Sequence, residues 1–443
     1  MASPSPVIAI LGASGLIGQA VSLYLLDAGF DVVPVARSFT RSQKAAFGDR
    51  CVESAVVGLD AATLSRLIET SRADIIINCI GVLQDSSRRG SAADVHGGFV
   101  QRLISGLSAG GRERLLVHLS IPGSEEDDET AFSTTKRAAE HAIAASGVPH
   151  VILRPGFVVA PAAYGGSALI RALASIPVDL PTGEASRPFA ATDVADIGRT
   201  IAVATRRWAK GERQWHERWD VMERKAGTVG DVIDTFRHHL GGPTPRLRLP
   251  AWLMRFGAVA GDVAACLGWS PPVRTTALAE MRRGVDGDPT GWIAATGIEP
   301  KLLAEVLRSL SSTVQERWFA RLYLLKPLVI GGLALFWIVS GLIALTVAFD
   351  EAAGILTAHG FPAWLAQATT LVTSLADIAI GVAIAQRDSA RRGLLAGIGL
   401  SLAYMAGATV LTPAMWLDPL GSLVKTGPAI LLMIVALAMM DER

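Results

Sequence analysis

Apolar residues follow one pattern in the first part of the chain and another after Lys326. Between residue 7 and about residue 160, short β-branched runs alternate with helical patterns, which is typical of a parallel sheet wrapped by helices. A helix is predicted over Leu16–Ala28, closing at Gly29. The predicted strands are Val7–Leu11, Asp31–Val35, Asp74–Ile80, Leu115–Leu119 and Val151–Leu153. We therefore expect an α/β fold with a Rossmann-like, doubly wound parallel sheet.

From about residue 160 to 315 the pattern is less regular, and Pro and Gly interrupt it, which suits a small substrate lobe. Residues 251–267 are apolar but too short and too interrupted to span a membrane. We interpret them as a helix of the lobe, with a position on the membrane surface as the alternative. The predicted domains are an α/β domain over 1–240, a lobe and linker over 241–320, and a strongly apolar domain over 321–443.

Four long apolar stretches follow Lys326. Each has about the 20 residues that a helix needs to cross a bilayer. They are Pro327–Phe349, Ala363–Ala385, Gly393–Thr412 and Gly421–Met440. The sequence therefore predicts a four-helix transmembrane bundle, with the lipid bilayer as a partner.

The charges of the connecting turns predict the orientation of the bundle. The turns Asp350–Pro362 and Pro413–Leu420 carry no Lys or Arg, whereas basic residues precede the first span and fill the middle turn. These basic residues are Arg317, Arg321, Lys326, Arg387, Arg391 and Arg392. The positive-inside rule then puts the first domain, the middle turn and the C-terminus in the cytoplasm. Trp364 and Trp416 are predicted to anchor the opposite interface.

Composition argues against a nucleic-acid partner, a cysteine metal site and a cleavable signal peptide. The 443 residues include 41 basic and 40 acidic ones, so no basic excess favours a nucleic-acid partner. Cys51, Cys79 and Cys266 have neither metal nor redox spacing, and we expect buried free thiols in a reducing compartment and no metal site. No basic segment precedes an apolar one at the N-terminus, so no cleavable signal peptide is expected.

A glycine-rich turn follows the first predicted strand directly. Gly12, Gly15 and Gly18 stand three residues apart and open a helix, with Ala13, Ser14, Leu16 and Ile17 between them. The first glycine permits a tight turn, the second lets backbone amides approach a pyrophosphate, and the third allows close packing of helix on strand. The positive end of the helix then faces the phosphates. We predict a dinucleotide site formed by this turn.

The end of the second strand bears on the choice of dinucleotide. An NAD site usually has an acidic residue there for the ribose hydroxyls. This chain has Arg37 and Ser38 instead, with Arg41 nearby, and a guanidinium fits a 2′-phosphate. We predict NADP(H) rather than NAD(H); the alternative is that Arg37 is a solvated surface residue. Asn78 and Gly81 lie at the end of the predicted strand Asp74–Ile80, where the backbone would pass the adenosine ribose.

With these residues the first domain resembles the extended and atypical short-chain dehydrogenase/reductase family. In that family a Ser and a Tyr-x-x-x-Lys pair form the reaction centre. The resemblance assigns Ser120 and Lys136 to the serine and lysine, and Pro155 and Gly156 to the lining of the nicotinamide. The position of the tyrosine is occupied by Phe132, which has no ionisable proton. Cofactor binding is therefore expected, but the usual carbonyl–alcohol catalysis is not.

Other groups could contact the substrate. Tyr164 and Arg171 fall where this family places its substrate lobe; the alternatives are a turn residue and a surface charge. We interpret His118, inside a strand, as a packed histidine, and the acidic run Glu125–Glu129 as a solvated loop. Hydride transfer to a quinone demands less of one positioned acid, because water can protonate a quinol oxygen.

The whole chain resembles atypical short-chain dehydrogenases that carry a C-terminal DoxX-like membrane domain. The segments that carry this resemblance are Arg154–Gly156, Tyr164–Ser167, Gln315–Arg321 and Trp416–Leu420. The nucleotide half is also similar to the NADPH-binding accessory subunit of mitochondrial complex I. The resemblance implies a membrane-associated, cofactor-binding protein, and DoxX-like domains are linked to quinone-dependent redox work.

One acidic residue lies inside the apolar stretches. A carboxylate in mid-bilayer costs about 3 kcal/mol, so Asp377 is expected to face the bundle interior and to find a partner. Ser401 and Tyr404 lie at a similar depth, whereas Lys425 lies near the far interface and is expected to snorkel near Asp418. Packing through a protonated Asp377 and quinone or proton handling both remain open.

Two functions are consistent with these features. The first is a membrane-tethered NADP(H)-binding oxidoreductase acting on a lipophilic acceptor, such as a quinone or its precursor. The second is a structural or assembly subunit among other membrane redox subunits, with NADPH as a bound ligand. The retained Ser120 and Lys136 favour the first, and Phe132 favours the second. Transport is disfavoured because the spans offer one acid and no broken-helix pattern.

Overall fold

A computed structural model describes residues 5–85, 90–417 and 421–440. The chain divides into two compact units. The first comprises Met1–Asp262 and Pro271–Ala320, and the second comprises Val263–Ser270 and Arg321–Arg443.

Within its described residues, the first unit contains a seven-stranded parallel sheet and three two-stranded ones. The strands are β1 (Val7–Leu11), β2 (Asp31–Ala36), β3 (Val52–Glu53), β4 (Ile75–Asn78), β5 (Leu115–Leu119), β6 (His150–Pro155), β7 (Phe157–Val159), β8 (Val178–Asp179), β9 (Pro188–Phe189), β10 (Ala191–Asp193), β11 (His216–Val221), β12 (Gly227–Thr228) and β13 (Leu247–Arg248). The large sheet has the order β11-β6-β5-β4-β1-β2-β3. The strand order reverses between β1 and β4, where such sheets bind ligands at the carboxyl ends of their strands.

The large sheet is buried on both faces. Ile8 and Ile10 of β1 pack into one apolar core, while Ala9 and Leu11 pack into the core on the opposite face. A strand covered on both sides reads as a continuous apolar run, which is why β1 and β4 were recognisable from sequence.

Helices connect the strands and cover the sheet. In the first unit and its boundary they are α1 (Leu16–Asp27), α2 (Arg41–Phe47), α3 (Ala61–Thr70), α4 (Phe99–Ala109), α5 (Ala131–Ala145), α6 (Gly166–Ala174), α7 (Thr182–Ala185), α8 (Val194–Ala209), α9 (Val229–Leu240), α10 (Ala251–Cys266), α11 (Thr275–Arg283), α12 (Thr290–Thr296), α13 (Leu303–Arg308) and α14 (Val314–Tyr323). A π-helical turn, Ala93–Gly98, leads into α4. Short 3₁₀ turns lie at Val56–Gly58, Glu125–Asp127 and Pro413–Leu417.

The predicted α/β sheet is confirmed, and all five predicted strands are present within one or two residues at each end. Two strands of the sheet were missed. β3 has only two residues, and β11 begins with exposed polar residues because it lies at the sheet edge beside β6. The expectation of three buried thiols is wrong for Cys266, which is exposed, and Cys51 and Cys79 are half-buried.

The second unit is helical. Its helices are α15 (Leu325–Leu345), α16 (Phe349–Ala358), α17 (Ala363–Ala385), α18 (Ala390–Leu411) and α19 (Ser422–Ala438). Among the described residues, α15, α17 and α18 are long and apolar enough to cross a membrane. The fourth expected span is a 17-residue helix, α19, with Pro428 inside it. The expectation of a plain turn between the first two spans is wrong, because α16 occupies most of it.

The buried acid of the second unit has the partner expected for it. Asp377 is 7% exposed, and the Tyr404 hydroxyl donates a hydrogen bond to its Oδ1 at 2.9 Å. Ser401 is buried and Lys425 is exposed, while Asp418 lies outside the described residues. Trp364 is exposed, and its role as an interface anchor stays a prediction.

Candidate functional site

The glycine turn brings α1 very close to the carboxyl end of β1. Gly12 has a φ of +85°, which favours glycine. A Cβ on Gly18 would lie 2.3 Å from the Gly12 carbonyl oxygen, and one on Gly15 would lie 3.3 Å from it. Only glycine at position 18 allows this approach. Because α1 begins at Leu16, its first amide groups and positive dipole end lie at this edge of the sheet.

The loop after β2 lies next to this turn. Gly12 N and Ala13 N both donate to the Val35 carbonyl, at 2.9 and 3.1 Å. Gln43 Nε2, on α2, donates to the Ser14 carbonyl at 3.2 Å. Arg37 and Ser38 follow β2 directly and are exposed. The carboxyl end of β2 is thus hydrogen-bonded to the glycine turn, and Arg37 follows it directly.

Ser120 and Lys136 converge at the end of β5. The Ser120 amide donates to the Leu153 carbonyl at 2.7 Å, and its Oγ is buried without a hydrogen-bond partner in the described part of the chain. The Lys136 ammonium, 5% exposed, donates to the Leu119 carbonyl at 2.7 Å. A buried hydroxyl without a partner is rare in folded proteins and is typical of a group that meets a ligand. The residues present therefore fit a dinucleotide bound across this edge.

Burial changes the protonation of the lysine. Loss of solvation lowers the pKa of Lys136 to about 8, from an ordinary value of 10.5. The amine is therefore mostly charged at neutral pH but titrates within reach of it.

The position of the family tyrosine is filled by an apolar contact. The Phe132 ring lies edge-on to the His96 ring, with centroids 5.6 Å apart. His96 Nε2 accepts a hydrogen bond from the Val82 amide at 3.1 Å, and His96 Nδ1 lies 2.9 Å from Thr135 Oγ1. Burial lowers the pKa of His96 to about 3, so the imidazole is neutral. It cannot take the place of the missing phenol as an acid at neutral pH.

Sequence reasoning missed His96. It lies in the π-helical turn before α4, and such turns have no simple sequence signature. A Cβ on Gly81 would lie 3.3 Å from Lys136 Nζ and 3.6 Å from His96 Nε2, so these three residues meet. No signal in the sequence pointed to it, because His96 stands between Val95 and Gly97, 18 residues after the end of β4.

Asn78 and His118 form a buried polar pair. Asn78 Nδ2 lies 3.1 Å from His118 Nδ1, and its Oδ1 accepts from the Ile80 amide at 3.1 Å. Both side chains are buried, as expected for a packed histidine, and burial lowers the pKa of His118 well below its usual value. Asn78 thus fixes the backbone at the carboxyl end of β4.

Gly156 follows β6 at the same edge. Its amide donates to Thr192 Oγ1 at 2.8 Å, and a Cβ there would lie 2.3 Å from the Ala190 carbonyl oxygen. Pro155 is the last residue of β6 and pairs with Val221 of β11. The backbone at the carboxyl end of β6 is therefore packed closely against the segment Ala190–Thr192.

The two candidate substrate residues have different environments. Tyr164 is half-buried in the turn before α6, and its amide donates to Ser167 Oγ at 3.0 Å. Arg171 is 8% exposed, donates to the Ala160 carbonyl at 2.7 Å, and lies over the Phe236 ring at 5.8 Å. The interpretation of Arg171 as a surface charge is therefore wrong.

The acidic run after β5 is only partly solvated. Glu125, Glu126, Asp127 and Glu129 are exposed, but the Asp128 side chain is 2% exposed. Asp128 lies 3.0 Å from Arg137 Nε and 2.7 Å from Arg283 Nη2. The expectation of a solvated loop is wrong at this residue, because α5 and α11 supply two buried guanidinium groups to it.

Two family matches divide the chain much as its two units do. Residues 8–214 match the NAD dependent epimerase/dehydratase family, and residues 334–434 match the DoxX-like family. No curated protein matches the chain. The chain thus combines an epimerase/dehydratase-like Rossmann domain with a DoxX-like, membrane-associated domain.

Solved structures share the fold of the first unit. UDP-glucuronic acid 4-epimerase from Bacillus cereus is 15% identical, with a TM-score of 0.52 over 72% of this chain and 99% of that chain. UDP-glucose 4-epimerase from Thermotoga maritima is 16% identical, with a TM-score of 0.51 over 70% and 98%. An epimerase from Methanothermobacter thermautotrophicus is 15% identical, with a TM-score of 0.52 over 73% and 95%.

Proposed function

We propose that this protein is a membrane-anchored oxidoreductase that binds NADP(H) and exchanges hydride with a lipophilic acceptor. The observation that carries the proposal is a pair of buried groups at the end of β5: the Lys136 ammonium, bonded to the Leu119 carbonyl, and the hydroxyl of the next residue, Ser120, which has no hydrogen-bond partner in the described part of the chain. The same chain continues into helices long and apolar enough to cross a membrane. A dinucleotide site on a membrane anchor favours an acceptor that dissolves in the bilayer.

The cofactor roles follow from the geometry of each residue. Gly12, Gly15 and Gly18 let backbone amides reach a pyrophosphate, and the Lys136 ammonium is available to the hydroxyls of the nicotinamide ribose. The Bacillus cereus epimerase was solved with NAD, which supports a nicotinamide dinucleotide here. We infer the 2′-phosphorylated form because Arg37 and Ser38 stand where an acidic residue would bind a free ribose hydroxyl.

The side chains that could donate a proton at this site limit the class of acceptor. A bound nicotinamide supplies or accepts a hydride, and reduction of a ketone would also need a positioned acid. Phe132 has no proton to give, and His96 is neutral with a pKa of about 3. An acceptor whose reduced oxygens take protons from water, such as a quinone, does not need that acid. Ser120 and Tyr164 then remain as hydroxyls that could orient the acceptor.

Single-turnover oxidation of NADPH by the purified, full-length protein tests this function. We expect nicotinamide absorbance at 340 nm to fall on addition of a short-chain quinone. The loss should be slower with NADH and in Arg37→Ala, while Arg66→Ala, an exposed arginine on α3, should behave as wild type. Equal rates with NADH and NADPH would contradict the cofactor choice.

The second candidate function is a non-catalytic NADPH-binding subunit of a membrane redox complex, as the likeness to the complex I accessory subunit implies. The packing of Phe132 against His96 favours it, because an apolar contact occupies the position of the acid. NADPH that binds, as seen by its fluorescence, yet stays reduced with every quinone would support this function and refute the first. The variant Phe132→Tyr further distinguishes the oxidoreductase from the non-catalytic subunit. Carbonyl reductase activity gained by this variant would show that the rest of the reaction centre is intact, which favours the oxidoreductase.

A further inference from the structure

Helix α10 has apolar residues on its exposed side. Trp252, Phe256, Val259 and Val263 are 67%, 66%, 55% and 59% exposed. Their spacing of four, three and four residues puts them on one face of a helix, which we call the apolar stripe. A helix on the surface of a water-soluble domain normally shows charged or polar residues on this side.

The opposite side of α10 is held in place. Met254 packs against the apolar core of the lobe, and Ala258 and Gly261 are buried. A Cβ on Gly261 would lie 1.9 Å from the Val273 carbonyl oxygen, so the helix and the segment after it are in close contact there. The apolar stripe is therefore the outer face of a packed helix and cannot turn inward without breaking this contact.

The C-terminal end of α10 belongs to the membrane unit. The second unit includes Val263–Ser270 together with the chain from Arg321 onward. The Leu267 carbonyl accepts a hydrogen bond from the Arg387 amide at 3.0 Å, and Trp269 Nε1 donates to the Ala385 carbonyl at 2.7 Å. Ala385 is the last residue of the span-length helix α17. The end of α10 is thus attached where a span ends, which is the depth of a bilayer surface.

Basic residues accompany the apolar stripe. Arg246, Arg248 and Arg255 are exposed and lie just before α10 or within it. Arg391 and Arg392 follow the turn to which the end of α10 is attached and are also exposed. Anionic lipid headgroups attract such clusters at close range. An apolar face with flanking basic residues is the chemistry of a helix that lies in a membrane interface.

We propose that α10 lies in the headgroup region of the bilayer, with the apolar stripe inserted between the acyl chains. The occupant is lipid because the helix continues into a segment already fixed at the end of a span. From Trp252 to Cys266 the helix extends about 21 Å along this surface. This contact is independent of the cofactor chemistry.

Spin labelling of the full-length protein in phosphatidylcholine–phosphatidylglycerol nanodiscs tests the proposal. Single nitroxides are placed at Trp252, Arg255, Phe256 and Val259 in a background with Cys51, Cys79 and Cys266 replaced by Ser. A label at Glu69, exposed on α3, is the matched control. We expect stripe positions to collide at least about threefold more with oxygen, which concentrates in lipid, than with a water-soluble nickel chelate. Arg255 should be intermediate, and Glu69 should show the reverse preference.

Two outcomes would overturn the proposal. Nickel accessibility at Val259 equal to that at Glu69 would mean that the apolar stripe faces water. Shielding from both reagents, with dipolar broadening that disappears on dilution with unlabelled protein, would mean that a second copy of the chain covers it. Each labelled variant should melt within about 2 °C of wild type, which excludes unfolding as the cause of a changed accessibility.

Discussion

Replacing Lys136 by Met should stabilise the first unit and weaken cofactor binding at the same time. Burial lowers the pKa of this lysine from 10.5 to about 8, and each tenfold change in proton affinity corresponds to about 1.4 kcal/mol. Keeping the ammonium charged inside the fold therefore costs about 3 kcal/mol at pH 7. Methionine removes that cost but also loses the hydrogen bond from Nζ to the Leu119 carbonyl, a loss of about 1 kcal/mol.

The net gain of about 2 kcal/mol corresponds to a rise in Tm of about 4 °C for a unit of this size. The folded pKa lies below the unfolded one, so the unfolded chain binds more protons between about pH 8 and pH 10.5. The free energy of unfolding of the wild type therefore rises with pH in that window. Below pH 8 the cost of burying the Lys136 charge is fully present. The advantage of Lys136→Met should accordingly be largest at pH 7 and smaller at pH 9.5.

Differential scanning fluorimetry of the full-length protein in detergent, with and without NADPH, measures both effects. NADPH should raise the Tm of wild type, and it should raise that of Lys136→Met much less, because a charged hydrogen-bond donor to the ribose is lost. Lys225→Met, at an exposed lysine, should change Tm by less than about 2 °C. A lower Tm for Lys136→Met at pH 7, or a gain that does not shrink at pH 9.5, would refute the desolvation argument.

The remaining predictions concern three packed contacts. Gly18→Ala should weaken NADPH binding by about tenfold or more in a fluorescence titration, because its Cβ would lie 2.3 Å from the Gly12 carbonyl oxygen. Asp128→Asn should lower Tm by about 6 °C or more, because the buried Arg283 loses its carboxylate partner and the buried Arg137 keeps only Glu140, a loss of about 3–5 kcal/mol. Tyr404→Phe should destabilise the helical unit by about 1 kcal/mol in SDS-driven unfolding, because Asp377 loses its hydrogen-bond donor.

Matched variants control for these changes. Gly58→Ala adds a Cβ in open space and should leave NADPH binding unchanged, and Glu126→Gln removes an exposed charge from the same acidic run as Asp128. A double-mutant cycle with Asp377→Asn isolates the contribution of the Tyr404 hydrogen bond. Additive effects in that cycle would mean that the two side chains do not interact. Equal losses in Glu126→Gln and Asp128→Asn would contradict the role of the buried ion pair.

The sequence by itself determined the features that depend on neighbouring residues. The strand, glycine turn and helix at the N-terminus follow from residue type at fixed spacing, since only glycine permits the φ of Gly12 and the contact at Gly18. The span-length helices follow from runs of apolar residues. Ser120 and Lys136 came instead from the family resemblance, and the structure brings Lys136 Nζ to the carbonyl of Leu119, the residue before Ser120. Local sterics and hydrophobicity are sufficient for the glycine turn and for the span-length helices.

Only the tertiary structure decided the contacts between distant parts of the chain. Asp128 became a buried ion-pair partner because Arg283, 155 residues later, packs against it. His96 lies within hydrogen-bond distance of Thr135, 39 residues later, and its neutral ring packs edge-on against Phe132. The end of α10 was fixed at a span by Trp269 and Ala385, 116 residues apart. Periodicity shows which face of an element is apolar, but the partner of that face is set by packing in three dimensions, which no local pattern contains.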